Sequence, residues 1–481
     1  MKSIVSLLSI LALGFGLFGC AAKEEVPIFG TTTAAPYGVV GNFYSANLAS
    51  ACSTLPLPWP APSQGLPGGL NFNGTSGEVT GTPNTVGNFT VVFTVTDSTG
   101  KTENCAVLFV VHPRTDRLSV DTFGNSVAVP LNTVPSISST DGRFIAFTST
   151  ASLIPGVTGQ QIYMHDRQTG QPSLVSKDNF GSAGTGGASS AASISADGRF
   201  IVFVSTATNL VPSVGGQQIY LHDRQTGQTS LISKDSFGSA GTGGISSAPS
   251  ISADGNVVSF VSTATNLVPG AIGQQIYLHD RQTSSTFPNG RTTLVSKNES
   301  GIAAPNGTLN TSPTISADGR YIAFVSTATN LDPLYSSVSG QQIYRHDTDT
   351  SQSLNGRTTL VSKNESGTPA ISGSLSTAPA ISADGRYIAF ASTATNFDLL
   401  YTNINSQQIY RHDTDISQSP NGRTRLVSRD EAGIPADAGA LLPAPVITAN
   451  GAFVAFVSSA TNLVTIPPAA PGLNIYVRAM P

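Results

Sequence analysis

Charged residues are scarce in this sequence, and so are the runs of residues that form helices. Only 11% of the 481 residues are charged, the net charge is −4, and no stripe of basic residues is present. Binding to nucleic acid needs clustered lysine and arginine to neutralise phosphates, so nucleic acid is excluded as a partner. The 48 glycines and 30 prolines divide the chain into short segments, and runs of Ala, Glu, Lys and Leu are rare. This composition favours an all-β protein.

Cysteine is rare as well, and the first of the three cysteines ends an N-terminal apolar segment. Residues 1–20, MKSIVSLLSILALGFGLFGC, place one lysine before this segment, which is the layout of a secretory signal. The residues before Cys20 resemble the lipobox of bacterial lipoproteins. The resemblance implies a signal peptide over 1–19, lipidation of Cys20, a tether over 20–34 and a membrane as partner through the lipid anchor. Ala21 follows rather than Asp, which by resemblance to Gram-negative sorting implies the outer membrane. An ordinary signal peptide that contains a chance cysteine is the alternative.

Two cysteines remain once Cys20 is assigned to lipid. An even pair in an exported chain predicts a disulfide between Cys52 and Cys105. Such a bond would stabilise the fold by about 4 kcal/mol in the chain-entropy treatment. Two buried free thiols are the alternative.

Residues 35–113 have the pattern of a small β-sandwich. Short alternating runs are broken by Gly and Pro, and residues 89–95 alternate apolar and polar before the turn Asp97-Ser98-Thr99-Gly100. The phrases Leu-Pro-Gly-Gly-Leu, Gly-Thr-Pro and Thr-Asp-Ser-Thr-Gly resemble the immunoglobulin-like, cadherin-like domains of bacterial surfaces. We expect Trp59, the single tryptophan, to pack in the core of this sandwich. No run of acidic residues suitable for calcium accompanies it.

From residue 114 onward the chain repeats a phrase close to Ile-Ser-Ala-Asp-Gly-Arg-Phe-Ile-Ala-Phe. The turns of this phrase are Asp141-Gly142, Asp197-Gly198, Asp254-Gly255, Asp318-Gly319, Asp384-Gly385 and Asn450-Gly451, spaced by 56 to 66 residues. Spacing of this size is typical of a repeated structural unit. In the second repeat we predict four antiparallel strands, with a hairpin at Asp197-Gly198 and strands near 192–195, 200–204, 217–223 and 229–234. The second strand is apolar on both faces, as expected for a sheet that is packed between two others.

The two ends of the repeat region predict a closed ring. The chain stops after a third strand, and residues 118–124 parallel residues 232–238, which begin within a fourth strand. A strand near 117–123 would therefore complete the last blade. The repeats resemble the TolB-like, WD-like β-propellers, without the α/β domain that precedes the propeller of TolB itself. The fold class that follows is all-β: an Ig-like β-sandwich over 35–113, then a six-bladed β-propeller of four-stranded blades over 114–481.

Histidine recurs at one position of the repeat and is followed each time by aspartate. These pairs are His165 and Asp166, His222 and Asp223, His279 and Asp280, His346 and Asp347, and His412 and Asp413. A ring of imidazoles suggests a metal, but the pairs end the third strands, away from the axis, too far apart to share an ion. We therefore predict repeated structural hydrogen bonds, and no metal site, cofactor or catalytic residue.

Function is indicated less clearly than fold. An active site should break the repeat symmetry, but Glu299, Glu365 and Glu431 occupy corresponding loops and no G-x-S-x-G elbow occurs. The first hypothesis is a lipid-anchored, non-enzymatic envelope protein whose propeller binds an envelope protein or a glycan. The alternatives are a hydrolase or lyase with its site at a propeller mouth, and a purely structural envelope component. Blades three to five have longer turns between their third and fourth strands, and extra residues occur around Leu334-Tyr335 and Leu400-Tyr401. These loops are further candidates for binding, and tolerated insertion without function is the alternative.

Overall fold

A computed structural model provides the three-dimensional structure of this chain. It describes residues 33–480 except 37, 49–58, 60, 63–64, 97–101, 113–118, 124, 126–134, 140, 337, 352, 372–375, 399, 402–405, 418, 439–443 and 465–472. The predicted signal peptide, Cys20 and Cys52 lie outside the described residues. The chain divides into two compact units, residues 1–116 and 117–481, where the sequence predicted a boundary between 113 and 114.

The first unit is a two-sheet β-sandwich. Its strands are β1 (Thr33–Ala34), β2 (Gly38–Val39), β3 (Tyr44–Asn47), β4 (Leu70–Asn73), β5 (Glu78–Gly81), β6 (Gly87–Thr96) and β7 (Thr102–His112). In one sheet β7 pairs with β6 antiparallel and with β1 and β2 parallel, and the other sheet has the order β3-β5-β4. The apolar residues of β6 point inward at every second position, because side chains on a strand alternate between its faces.

Trp59 lies in the core of this sandwich. Its side chain is 4% exposed, and its ring centroid is 6.1 Å from that of Phe72 and 5.5 Å from that of Phe93. Cys105, on β7, packs against the same cluster. The predicted bond from Cys105 to Cys52 stays a prediction, since Cys52 is outside the described residues.

The second unit is a six-bladed β-propeller, so the predicted fold class is confirmed. Blades 1 to 3 are β8 (Ser136–Ile137), β9 (Phe144–Ser149), β10 (Gln161–Asp166) and β11 (Gln171–Leu174); β12 (Ser189–Ile194), β13 (Phe200–Ser205), β14 (Gln218–Asp223) and β15 (Gln228–Leu231); β16 (Ser246–Ile251), β17 (Val257–Ser262), β18 (Gln275–Asp280) and β19 (Arg291–Leu294). Blades 4 to 6 are β20 (Asn310–Ile315), β21 (Tyr321–Ser326), β22 (Gln342–Asp347) and β23 (Arg357–Leu360); β24 (Ser376–Ile381), β25 (Tyr387–Ser392), β26 (Gln408–Asp413) and β27 (Arg423–Leu426); β28 (Val446–Ile447), β29 (Phe453–Ser458) and β30 (Asn474–Ala479). Each sheet is an antiparallel meander, and the sixth has three strands among the described residues.

The Asp-Gly turns form as the sequence predicts. In blade 2 the Asp197 carboxylate accepts the Arg199 N–H at 2.9 Å and the Ser195 hydroxyl at 2.6 Å. Gly198 has φ +72°, and a β-carbon there would overlap the ring of Phe144 in blade 1. Glycine is therefore required twice, by the backbone angle and by the close approach of the preceding blade.

Apolar side chains from adjacent blades form the propeller core. Strand β13 is buried on both faces, and the Phe203 and Tyr220 rings stack with centroids 6.0 Å apart. These rings pack against Phe144 and Ile162 of blade 1. The arrangement explains why the second strand of each repeat does not alternate in polarity.

Two strands differ from the sequence prediction. The innermost strand β12 begins at Ser189, earlier than predicted, and contains a bulge between Ser190 and Ser193 where Ala191 has φ +53°. The fourth strand β15 ends at Leu231, earlier than predicted, because the Ser233 hydroxyl replaces the ladder by accepting the Ile219 N–H at 2.9 Å.

The segment expected to close the ring is a turn where the structure describes it. Asp121 accepts the N–H groups of Phe123 and Asn125 at 2.9 and 2.8 Å, and the Thr122 N–H donates to the carbonyl of Leu153 in blade 1 at 3.2 Å. Within this described part Val120 forms a β-bridge, and no longer strand is present. A longer closing strand would have to include the undescribed residues 113–118, and it stays a prediction.

One face of the last blade, which carries Ile475 and Val477 of β30, exposes more apolar surface than the other propeller strands. Ile475 is 79% exposed and Val477 is 65% exposed, whereas Ile409, which holds the position of Ile475 in blade 5, is 2% exposed. Closure against blade 1 would bury this face.

Helical structure is nearly absent from the described part of the chain. One 3₁₀ turn, Pro333–Tyr335, is present. No helix among the described residues has the length and apolar character needed to cross a membrane.

Candidate functional site

The recurring histidines are buried and bind neighbouring blades together. In blade 2 the His222 Nδ1 lies 2.9 Å from the Thr229 Oγ1, and this hydroxyl donates to the carbonyl of Lys177 in the loop after blade 1 at 2.6 Å. Because the hydroxyl proton is used on the carbonyl, Nδ1 carries the imidazole proton and donates it to Oγ1. The same arrangement joins His279 to Thr292, His346 to Thr358, and His412 to Thr424.

Burial keeps these imidazoles uncharged. It lowers the pKa of His222 to about 4 and those of His279, His346 and His412 to about 3, with smaller contributions from nearby lysines and arginines. In blade 6 Arg478 stands at the histidine position, and its Nη1 donates directly to the Arg429 carbonyl at 2.6 Å. In both cases the side chain at this position connects its blade to the loop that follows the preceding blade.

The recurring aspartates hold the arginine of the Asp-Gly-Arg turn. The Asp223 carboxylate accepts Nε and Nη2 of Arg199 at 2.9 and 2.7 Å. The same bidentate pair joins Asp166 to Arg143, Asp347 to Arg320, and Asp413 to Arg386. Hydrogen bonds from Arg199 are the largest cause that lowers the pKa of Asp223, to about 2. Asp280 in blade 3 has no such arginine.

The structure does not bring the histidines and aspartates together into one centre. Each His-Asp pair stays in its own blade, and the described residues contain no group of three or more His, Cys, Asp or Glu that could hold a metal ion. Their repeated contacts explain them as parts of the framework.

The innermost strands of blades 1 to 4 surround a cavity of about 740 Å³ on the propeller axis, within the size range of small-molecule sites. The hydroxyl-bearing residues of its lining are Ser136, Thr148, Ser190, Ser193, Ser250 and Thr314. Pro249 and Pro313 add apolar surface, and no ionisable side chain is among the described residues of the lining. We call this space the axial cavity.

Bulges in the innermost strands shape the axial cavity. In blades 2, 3 and 4 each innermost strand skips two residues of the ladder with β13, β17 or β21. One residue of each bulge has a positive φ, namely Ala191, Ala248 and Ser312. The Thr314 hydroxyl is buried and makes no hydrogen bond within the structure.

Comparison with known proteins supports the division of the chain. The family model described as Putative Ig domain matches residues 26–112. No curated protein matches the chain.

Solved structures similar to the chain include prolyl endopeptidases, at 12% identity and a TM-score of 0.41, covering 74% of this chain and 44% of the peptidase. The periplasmic gluconolactonase of Pseudomonas aeruginosa is similar at 14% identity and a TM-score of 0.37, covering 81% of this chain and 95% of the lactonase. The oligogalacturonate lyase of Vibrio parahaemolyticus is similar at 12% identity and a TM-score of 0.32, covering 82% and 98%. The chain spans less than half of the prolyl endopeptidases it matches.

Proposed function

We propose that this protein is a lipid-anchored, non-enzymatic binding protein of the cell envelope, and that its propeller binds a neutral glycan in the axial cavity. The observation that carries the proposal is a lining of serine, threonine and proline residues in which the structure describes no ionisable side chain. Sugars present many hydroxyls and small apolar patches, which such a lining can match without the cost of desolvating a charge.

The absence of a charged group from the described lining also favours binding over catalysis. Hydrolysis or elimination on a sugar needs carboxylates or other titratable groups that converge on the reacting bond. The axial cavity offers alcohols, an amide from Gln160 and backbone groups.

Binding is tested by calorimetric titration of the purified chain with neutral oligosaccharides, starting from a glycan array. Ser193→Phe places a ring in the axial cavity and should reduce affinity by at least tenfold, on the order of 1.4 kcal/mol. Ser230→Phe, on the exposed outer strand of the same blade, is the matched control and should leave affinity unchanged. Equal affinities in the two variants would reject the axial cavity as the site, and release of a cleaved sugar would favour an enzyme.

The lipid anchor is a separate part of the proposal and rests on the residues around Cys20. Two acyl chains would hold the protein at a membrane by burying methylenes, each contributing about 0.8 kcal/mol. Cys20→Ala should move the protein from the membrane fraction to the soluble fraction, and density-gradient separation of the two membranes tests the outer-membrane assignment. A Cys20→Ala variant that still sediments with membranes would contradict the anchor.

A further inference from the structure

Blade 3 breaks the repeat symmetry at its Asp-Gly turn. Asn256 stands where blades 1, 2, 4 and 5 have the arginine that pairs with the aspartate of the third strand. Its Nδ2 donates back to Asp254 at 2.7 Å. Among the described residues, the Asp280 carboxylate therefore accepts a single hydrogen bond, from the Gln282 N–H at 2.9 Å, and has no cationic partner.

A second partner is missing on the fourth strand of the same blade. Arg357 in blade 4 pairs with Glu299 at 3.0 Å, and Arg423 in blade 5 pairs with Glu365 at 3.3 Å. Arg291 holds this position in blade 3, but the residue that corresponds to the glutamate is Ser236. Among the described residues, the guanidinium of Arg291 has no carboxylate partner and lies 5.3 Å from the Phe287 ring centroid.

A third partner is missing beside Lys297. In blade 4 the ammonium of Lys363 lies 5.2 Å from the ring centroid of Tyr335, and in blade 5 Arg429 lies over Tyr401. Both tyrosines belong to loops that are longer than the loop of blade 3, which passes through residues 268–271 without an aromatic residue. Lys297 therefore has no aromatic residue in this loop, as is also the case for Lys177 and Lys234 at the same position in blades 1 and 2.

These three side chains share one cleft. A cavity of about 370 Å³ between blades 3 and 4 is lined by Asp280, Arg291 and Lys297 and, from blade 4, by Asp318, Arg320 and Asn355. We call it the blade 3–4 cleft. An adjoining cavity of about 500 Å³ also has Arg291 and Lys297 in its wall and reaches the short loop at 268–271. The missing partners and the open space therefore coincide.

The charges of the cleft suit a ligand that has both an anionic group and a hydroxyl group. Arg320 is neutralised by Asp347 and Asp349, at 2.7 and 3.0 Å, so Arg291 and Lys297 supply the unpaired positive charge. Burial lowers the pKa of Lys297, and the positive charge of Arg291 lowers it further. An anion placed beside both cations would remove this repulsion.

Asp280 supplies the acceptor. It stands directly opposite Arg291 in the ladder of β18 and β19, so the two side chains share the face that borders the cleft. The structure forms no ion pair between them, and the carboxylate oxygens can accept hydrogen bonds from hydroxyl groups.

We propose that the blade 3–4 cleft binds a small hydroxylated anion, such as a sugar that carries a carboxylate or a phosphate, with the anionic group held by Arg291 and Lys297 and a hydroxyl donated to Asp280. This site shares no lining residue with the axial cavity, so binding at one can be tested independently of binding at the other.

The other blades provide two substitutions that restore a missing partner and one that removes a cation. Ser236→Glu gives Arg291 the carboxylate partner that the equivalent arginines have in blades 4 and 5. Asn256→Arg gives Asp280 the arginine that its equivalents have in blades 1, 2, 4 and 5. Arg291→Gln installs the residue found at the same position in blade 2, Gln228. All three belong to the repeat pattern, so the fold should tolerate them, and thermal unfolding verifies this.

The test is calorimetric titration of the full chain with glucuronate, glucose 6-phosphate and neutral glucose. Binding of at least one of the two anions, with glucose weaker by at least tenfold, is expected; the two anions distinguish a carboxylate ligand from a phosphate ligand. Ser236→Glu and Arg291→Gln should each weaken the anion by about tenfold to a hundredfold, as expected for a lost charge-assisted hydrogen bond. Asn256→Arg should lower the preference for the hydroxylated anion over acetate or inorganic phosphate.

Arg423→Gln in blade 5 removes an arginine from the same repeat position and is the control; it should leave anion binding unchanged. The proposal is overturned if neither anion binds, if Ser236→Glu and Arg291→Gln bind as the parent does, or if Arg423→Gln loses as much affinity as Arg291→Gln. Ser193→Phe should not alter anion binding, which separates this site from the axial cavity.

Discussion

Arg199 and Asp223 form a bidentate ion pair that ties the Asp-Gly turn of blade 2 to the end of its third strand, with Nε–Oδ1 and Nη2–Oδ2 distances of 2.9 and 2.7 Å. The carboxylate also accepts the Gln225 N–H at 2.9 Å, so the same group fixes the turn that follows. Blades 1, 2, 4 and 5 contain this pair, whereas blade 3 keeps the aspartate, Asp280, without the arginine.

Removing the charge of Asp223 should therefore cost stability, and removing that of Asp280 should not. Asp223→Asn keeps the shape but loses the acceptor geometry that the guanidinium uses, so the unfolding temperature should fall by a few degrees. Asp280→Asn is the matched control in the blade without the arginine, and its unfolding temperature should stay within a degree or so of the parent. Equal shifts would mean that the ion pair adds nothing to the turn.

Stability should depend on pH through the buried histidines. Their folded-state pKa values lie at about 3 to 4, below the ordinary 6.5, so the unfolded chain binds more protons between these values. The contribution is fully present above pH 6.5 and is lost as the pH falls toward 4, by about 1.4 kcal/mol for each unit of pKa difference. Urea unfolding at pH 7.5, 6 and 5 measures this slope.

The aspartates contribute in a lower window, which separates the two effects. Asp223 has a pKa of about 2 in the folded protein and 3.8 ordinarily, so its contribution is present above 3.8 and is lost as the pH falls toward 2. His222→Gln should flatten the slope between pH 6.5 and 4 and leave the lower window as it is. An unchanged slope in this variant would contradict the assignment to the imidazoles.

The sandwich should be stabilised by a disulfide. Cys105 packs against the cluster that contains Trp59 and Phe93, and Cys52 is the remaining thiol once Cys20 is lipidated. Intact mass of alkylated protein should show Cys52 and Cys105 protected before reduction and both labelled after it. Reduction should then lower the stability of the sandwich by about 4 kcal/mol in the chain-entropy treatment, while the propeller is unaffected. Labelling of both cysteines without reductant would instead indicate free thiols.

The blades could be predicted because their sequence signals are local. The blade 3–4 cleft could not, because its signal appears only when several repeats are compared. The hairpin at Asp197-Gly198 needs only its own residues, since the turn and both strands lie within a dozen positions. The bulge at Ala191 could not be predicted, because its conformation depends on the packing of the innermost strands and not on local sequence propensity. The missing partners of Asp280 and Arg291 are visible in the sequence only when Asn256 and Ser236 are aligned with their counterparts in other blades. No unusual acid marks the cleft; its sequence signal is the absence of two charges that other blades have.

Closure of the ring should depend on Leu118, which lies outside the described part of the chain. Leu118 has the repeat position of Ile232 and Val295, which are each 1% exposed on the segment after the fourth strand. If the segment before residue 119 completes blade 6, Leu118 is buried there and helps to cover the face of Ile475 and Val477. Leu118→Asp should then destabilise the propeller about as much as Ile232→Asp does, because each buries an unpaired carboxylate. Asp116→Asn, at the position of the exposed Ser230, is the control and should change little. A Leu118→Asp variant that unfolds at the temperature of the parent would show that the ring does not close through this segment, and the apolar face of the last blade would then need another cover.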